Sequence, residues 1–348
     1  MRHDEFDFHN VAELREPDEE DHDTHRDGLL LQRVPESVRQ RLNDGAQRRM
    51  RHPAGVELRF VPDGPVEVTL STIPVKDRES GTVRVFWGPF QTHQTVEIGP
   101  EPTTIRVEFP EKLADIVPEV REELSFDPRV CRICLPGEHR GGHMVYHSAE
   151  GDRRPPVDDE LPDTRYLAYG TSITEGEAPL AEHLTYASQT ATRLGAELVN
   201  LGSCGTAYCD PAMAEFIAGR DDWDVATLAL SVNMVGRFPV ETFEERAAAM
   251  VDAVASAHPE KPVGVVTIYT NGRDVCAGHS EAVECEQFRE SLRRVVKESS
   301  QANVHLFEGP AIIDGIEGMT PDLTHPGDNA MIRMGENLAS ELQPLLSE

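Results

Sequence analysis

The hydrophobic period changes partway along this chain, and that change constrains the fold more than any other feature. In the first part apolar residues recur at every second position. Val56, Leu58 and Phe60 alternate with Glu57 and Arg59, and Val66, Val68 and Leu70 with Glu67 and Thr69. Val83, Val85 and Trp87 flank Arg84, with Phe86 out of step; Ile105, Val107 and Phe109 alternate with Arg106 and Glu108. Successive side chains on a strand point to opposite faces, so this pattern describes half-buried strands. Turn formers (Asp63-Gly64-Pro65, Gly99-Pro100) fill the gaps. Residues 29–150 are therefore expected to form an antiparallel, jelly-roll-like β-sandwich.

From residue 164 onward, short apolar runs alternate with long amphipathic ones. Strands are predicted at Arg165–Tyr169, Glu197–Leu201, Val225–Ser231, Val263–Tyr269 and Val304–Phe307. Helices are predicted at 180–194, 210–218, 241–257, 280–300 and 327–345. Repeated strand–helix alternation implies a five-stranded parallel sheet with helices on both faces, a three-layer α/β/α domain over 164–348. In such sheets sites lie beyond the carboxyl ends of the strands. The Pro-rich, charged stretch 151–163 reads as a linker or a wrapping segment. Residues 1–28 hold eleven acidic and three basic residues and read as a mobile acidic arm; the alternative is an edge packed through Phe6 and Phe8.

Charge narrows the partners. The 348 residues carry 62 Asp+Glu against 33 Lys+Arg, a formal net charge of −29. Such a chain is unsuited to nucleic-acid phosphates or anionic lipid. Only four of the basic residues are lysines (Lys76, Lys112, Lys261, Lys297). Few lysines, many carboxylates and few aromatics suit concentrated salt, where a Debye length of about 3 Å screens acidic self-repulsion. This predicts a halophilic protein. The sequence has no run of apolar residues long enough to span a membrane and no secretory pattern at Met1–Asn10, and its six cysteines are too sparse for a disulfide scaffold. A cytoplasmic location is expected, and the oligomeric state is open.

Four short segments fall beside predicted strand ends or before the last helix. Tyr169-Gly170-Thr171-Ser172-Ile173-Thr174-Glu175-Gly176 sets a serine at a strand-to-helix turn. Asn200-Leu201-Gly202-Ser203-Cys204-Gly205-Thr206 offers a glycine whose N–H can face a cleft unobstructed. Leu230-Ser231-Val232-Asn233-Met234 offers a neutral amide, and Pro321-Asp322-Leu323-Thr324-His325-Pro326 an aspartate three residues before a histidine. Together they compose an acyl-transfer site. Ser172 is the candidate nucleophile, His325 the base and Asp322 the group that fixes the imidazole. The N–H groups of Ser172 and Gly205 and the amide of Asn233 are candidate oxyanion donors. Taken singly, each residue has a plainer reading: Ser172 as a helix cap, Asp322 as a turn residue, His325 as a surface histidine, Asn233 and Gly205 as turn residues.

In order and position, these four blocks resemble those of the SGNH (GDSL-type) hydrolase family. GTSI stands where that family has Gly-Asp-Ser-Leu, Gly205 matches its second block, Asn233 its third, and Asp322 with His325 its last. The resemblance covers 164–348 and implies a flavodoxin-like fold and a serine esterase for small carboxylic esters, without metal or cofactor. Some SGNH esterases carry an N-terminal β-sandwich, and the join ELPDTRYLAYGTSITEG looks like theirs. They include sugar deacetylases and polyketide-tailoring acyl esterases and acyltransferases. O-acetylated sugars are thus one expected substrate class, with acyltransfer, or carbohydrate binding with a vestigial site, as alternatives. The sequence departs from the pattern at Thr171, where Asp is usual, and at Ser231 and Met234, where Gly and Asp are common.

Other residues read more plainly. Thr174 and Glu175 are expected to be solvated or capping. Cys131-x-x-Cys134 with His139, His143 and His147 invites zinc, but Arg129–Leu135 reads as a strand, which points positions three apart to opposite faces. Cys204 and Cys209 read as small buried thiols, and Phe86 and Trp87 as core aromatics. Asn271-Gly272 reads as a turn that could line the cleft, as could Met234 and Arg237.

Overall fold

The computed structural model describes residues 1–18, 28–75, 79–137 and 142–346. It divides into two compact units: residues 1–36 with 50–163, and residues 37–49 with 164–348.

The first unit is antiparallel. Its strands are β1 (Arg2–His3), β2 (Phe6–His9), β3 (Glu13–Arg15), β4 (Leu29–Gln32), β5 (Glu57–Pro62) and β6 (Val66–Ile73). They continue with β7 (Gly81–Trp87), β8 (Phe90–Ile98), β9 (Thr103–Val107), β10 (Cys131–Cys134), β11 (His143–Glu150) and β12 (Arg153–Arg154). Among the described residues one sheet runs β1-β2-β5-β10-β7-β8, with β12 also on β5, and the other β3-β4-β11-β6-β9. Phe8, Phe60 and Val85 from the first sheet share one core with Val68, Ile105 and Tyr146 from the second. That shared core is why the alternation was needed on both sheets.

Parts of this unit differ from the expectation. The acidic beginning is strand where it is described: Phe6 and Phe8 are fully buried, and β2 pairs with β5. Burial of two aromatic rings outweighs the unfavourable composition around them; residues 19–27 of the expected arm lie outside the described residues. The segment 151–163 is built into the same unit, β12 pairing with β5 and the Asp127 N–H donating to Glu160 O at 3.0 Å. Residues 37–49, expected within the sandwich, belong to the second unit, where Asn43 Nδ2 donates to Asp210 Oδ2 at 2.6 Å and to Thr206 O at 2.9 Å.

The second unit is wound around five parallel strands: β13 (Thr164–Gly170), β14 (Ala196–Asn200), β15 (Val225–Ala229), β16 (Val263–Val266) and β17 (Val304–Phe307). Their order is β14-β13-β15-β16-β17. The interior strands are buried on both faces, which is why they read as continuous apolar runs rather than alternating ones. Helix Tyr186–Leu194 packs on helix Asp328–Leu342; helix Val240–Ala257 packs on Pro211–Ala218 and on Ala282–Glu298, with Phe243 stacked on Phe288. The chain leaves β13 outward to β14 and returns across it to β15. β13 and β15 stay paired to their last residues, Gly170 and Ala229, while the connections that leave them run to opposite sides, and there a doubly wound sheet opens a crevice. No helix among the described residues is long and apolar enough to cross a membrane.

Candidate active site

Ser172 sits at the mouth of that crevice. β13 ends at Gly170, Thr171 occupies the cap position without a side-chain cap bond, and Ser172 is the first residue of a one-turn helix, Ser172–Glu175. Ser172 is thus inside the helix rather than its cap. The turn stops at once: Gly176 adopts φ +108°, and the N–H groups of Gly176 and Glu177 both donate to Ser172 O at 2.9 Å.

Asp322 and His325 come from the loop before helix Asp328–Leu342. Ser172 Oγ lies 2.8 Å from His325 Nε2, and His325 Nδ1 lies 2.7 Å from Asp322 Oδ2. A carboxylate accepts only, so Nδ1 carries the proton and Nε2 is left to accept from the serine hydroxyl. The other oxygen, Asp322 Oδ1, accepts from Thr324 N (2.8 Å), His325 N (3.0 Å) and Thr320 Oγ1 (2.7 Å). Partial burial pushes the Asp322 carboxyl up, but the His325 ring, these N–H groups and the Thr320 hydroxyl outweigh it and hold it well below the usual carboxylate range. The Asp322 side chain is 53% exposed and that of His325 18%. The aspartate therefore works from the rim and the imidazole from within.

The second and third blocks meet beside Ser172. Ser203 N donates to Gly170 O at 2.9 Å, which ties the loop after β14 to the end of β13. A Cβ on Gly202 would come within 2.2 Å of Glu175 N, so only glycine allows this approach to the serine turn. Gly205 has open space where a Cβ would stand but a φ of +69°; its backbone conformation, not crowding, calls for glycine. Asn233 Oδ1 accepts from Ala207 N at 3.2 Å, joining the Asn loop to the Gly loop and turning its amide NH2 away from that contact. Ser231 is fully buried at φ +100°, a conformation that favours glycine.

Several side chains differ from their expected roles. Thr174 and Glu175 are fully buried, not solvated. Thr174 Oγ1 lies 2.7 Å from Tyr186 Oη, and the Glu175 carboxylate accepts from Cys204 N, so both brace the serine turn from beneath. Met234 is buried rather than lining a cleft. Cys131 and Cys134 are buried on β10, between β5 and β7; His139 lies outside the described residues. No group of three or more His, Cys, Asp or Glu among the described residues is arranged to hold a metal.

The largest omission from the sequence reading is Arg289. It is 4% exposed and donates to Ile268 O (2.9 Å) and Tyr269 O (3.2 Å), and to both Asp274 oxygens (2.6 and 2.8 Å). Asp274 and Asn271 cap the turn Gly272–Val275, whose Gly272 N–H donates to Leu323 O at 2.6 Å, inside the Asp322–His325 loop. Leu323 is held at φ +52°. An arginine midway along an amphipathic helix reads as solvated, and only the fold reveals this support. Thr171, Ile173, Leu230, Tyr269, Asn271 and Thr324 line an apolar cavity of about 10 Å³ against the residues flanking Ser172 and His325.

A serine turn at the first strand of a doubly wound sheet, faced by a glycine loop, an asparagine loop and an Asp-x-x-His loop, is the layout of the SGNH-type hydrolases. Residues 164–343 match the GDSL-like Lipase/Acylhydrolase family, and the chain belongs to that family. Among solved structures it is similar to a salicylyl-acyltransferase from a tetracycline biosynthetic pathway: TM-score 0.76 and 17% identity, over 98% of this chain and 95% of that one. A putative GDSL-like lipase from Bacteroides ovatus gives 0.67 and 15%, over 91% and 92%. A family two carbohydrate esterase from Cellvibrio japonicus gives 0.59 and 14%, over 99% and 96%. At such identities the likeness speaks to the fold. No curated protein matches the sequence.

Proposed function

We propose that the protein is a serine esterase acting on small carboxylic esters through an acyl-Ser172 intermediate. The observation that carries this is the unbroken chain of contacts from Ser172 Oγ to His325 to Asp322. Ser172 Oγ attacks the ester carbonyl carbon while His325 Nε2 takes its proton. The oxyanion is met by the N–H groups of Ser172 and Gly205 and the Asn233 amide, each such donor contributing about 3–4 kcal/mol to lowering the barrier. The C–O bond to the alcohol breaks as His325 returns the proton to the leaving oxygen. Water, deprotonated by the same nitrogen, then attacks the acyl carbon, releases the acid and restores Ser172. The apolar cavity of about 10 Å³ beside Thr171 and Ile173 has room for roughly a methyl group, which favours short acyl chains.

The test is hydrolysis of p-nitrophenyl acetate and butyrate by the wild type and Ser172→Ala, in about 2–3 M KCl to screen the acidic surface. Turnover by the wild type alone, faster on acetate, supports the reading; equal activity in the alanine variant overturns it. A second reading, acyltransfer to an alcohol, is favoured by the likeness to the salicylyl-acyltransferase over nearly the whole chain. Transferred acyl products on supplying alcohols would identify it. Hydrolysis of acetylated sugars is the finer form of the first reading, in line with the carbohydrate esterase neighbours.

A further inference from the structure

We infer that the rim of this site carries an anion-binding subsite, built on Arg237 and directed at a carboxylate or phosphate on the alcohol part of the substrate. The inference rests on the proposed esterase site and extends it to a substrate class.

The subsite joins the Gly loop to the Asn loop. Tyr208 Oη donates to Gly205 O at 2.9 Å, and the Arg237 guanidinium donates to Tyr208 Oη. Arg237 lies over the Tyr208 ring, 5.5 Å from its centre, and Arg246 over the Phe238 ring at 5.0 Å. The two rings are 5.1 Å apart, and Arg246 Nη1 donates to Tyr208 O at 3.2 Å. Two guanidiniums thus bracket two aromatic rings, two hydrogen bonds away from the glycine proposed as an oxyanion donor.

What these two arginines lack is a carboxylate partner. With 62 carboxylates for 33 basic groups, surface arginines here usually find an acid: Arg41 with Glu215 at 2.7 Å, Arg220 with Asp222 at 2.8 Å, Arg293 with Glu308 at 2.7 Å. Among the described residues neither Arg237 nor Arg246 is ion-paired; their partners are a hydroxyl, a carbonyl and ring faces, all neutral. Nearby Asp210 is engaged by Asn43 at 2.6 Å. A planar guanidinium held by stacking keeps its full charge and most of its donors free, a preorganised donor to an oxyanion. In a chain of net charge −29 the general field repels anions, so recognising one requires a local cation of this kind. Arg237 is exposed, on the loop just after Asn233.

The test compares phenyl acetate with 4-acetoxybenzoate and 4-acetoxyphenyl phosphate, for the wild type and for Arg237→Gln. The readout is the ratio of kcat/KM on the anionic ester to that on the neutral one. That ratio is expected to fall about tenfold in R237Q, the size of one lost charge-assisted contact. Tyr208→Phe, which removes the hydroxyl that orients the guanidinium, should lower it about threefold. The two anionic esters distinguish a carboxylate from a phosphate preference. A ratio unchanged by R237Q, or a loss equal on all three esters, overturns the subsite and leaves Arg237 a structural residue. Binding of 4-hydroxybenzoate by calorimetry separates the two readings: binding that depends on Arg237 with no ester turnover would support the subsite and overturn the esterase. Equal binding by wild type and R237Q overturns the subsite.

Discussion

Two carboxylates, one in each unit, are held by basic partners in opposite ways. Glu57, on β5 of the sandwich, takes Arg132 through both oxygens (2.5 and 2.8 Å) and Arg59 at 2.8 Å. Phe126 lies under both guanidiniums, 4.1 Å from Arg132 and 5.2 Å from Arg59. Burial pushes the Glu57 carboxyl up, but Arg132 and Arg59 prevail and hold it well below the ordinary range. Asp322 is also held low, yet its partners are the N–H groups of its own turn and an imidazole, and half of it stays in water. The first cluster is closed, with every charge spent on a neighbour. The second is open at one end, because the imidazole it orients still has a nitrogen facing Ser172. A closed cluster can only hold strands together; an open one can pass a proton along.

The comparison is broken most sharply at Ser172. Ser172→Ala should cost about 10⁴-fold or more in kcat/KM and leave stability nearly unchanged, measured by ester hydrolysis alongside thermal unfolding. Asp322→Asn should lower kcat about 10²–10³-fold, since the amide no longer fixes the imidazole, with stability changing by less than about 1 kcal/mol. The low Asp322 carboxyl stays ionised above about pH 4. Above that pH the acid limb of the activity profile therefore does not report its protonation. Glu57→Gln should do the reverse: the buried Arg59 and the half-buried Arg132 lose the carboxylate they share, costing about 3–5 kcal/mol in denaturant unfolding of the sandwich. Because the folded carboxyl is depressed, its contribution is fully present above about pH 4.3 and disappears as pH falls through the folded value. The variant should lack that acid-dependent part. The smallest effect is at Ser231: Ser231→Gly should relieve the left-handed conformation and stabilise the second unit by about 1 kcal/mol. A loss of stability there would show that the hydroxyl, which donates to Leu230 O, matters more than the backbone.

Legibility in the sequence followed burial. The interior parallel strands are buried on both faces and edge strand β17 is half-buried yet apolar, so five apolar runs marked β13 to β17 within a few residues. The Ser, Gly and Asn blocks fall just past strand ends, and the Asp-x-x-His block falls just before the last helix. β8 was missed because its pattern is exposed almost throughout; Phe90–Ile98 is largely polar, with nothing for an alternation rule to detect. β2 was obscured because carboxylates surround Phe6 and Phe8, and composition spoke louder than two rings. Glu175 and Arg289 were misread or unread for a shared reason. A charged residue in a helical pattern is taken as solvated, and the partners that allow its burial lie 29 residues away at Cys204 and 15 residues away at Asp274.

The excursion of residues 37–49 into the second unit changes what counts as a separable piece of this protein. The backbone crosses between units three times, at 36/37, 49/50 and 163/164. No single cleavage yields two intact halves. A fragment beginning at Thr164 would leave Asp210 and Thr206 without Asn43, next to the loop that carries Gly205. A recombination event that transplanted residues 164–348 alone would leave residues 37–49 of the second unit behind.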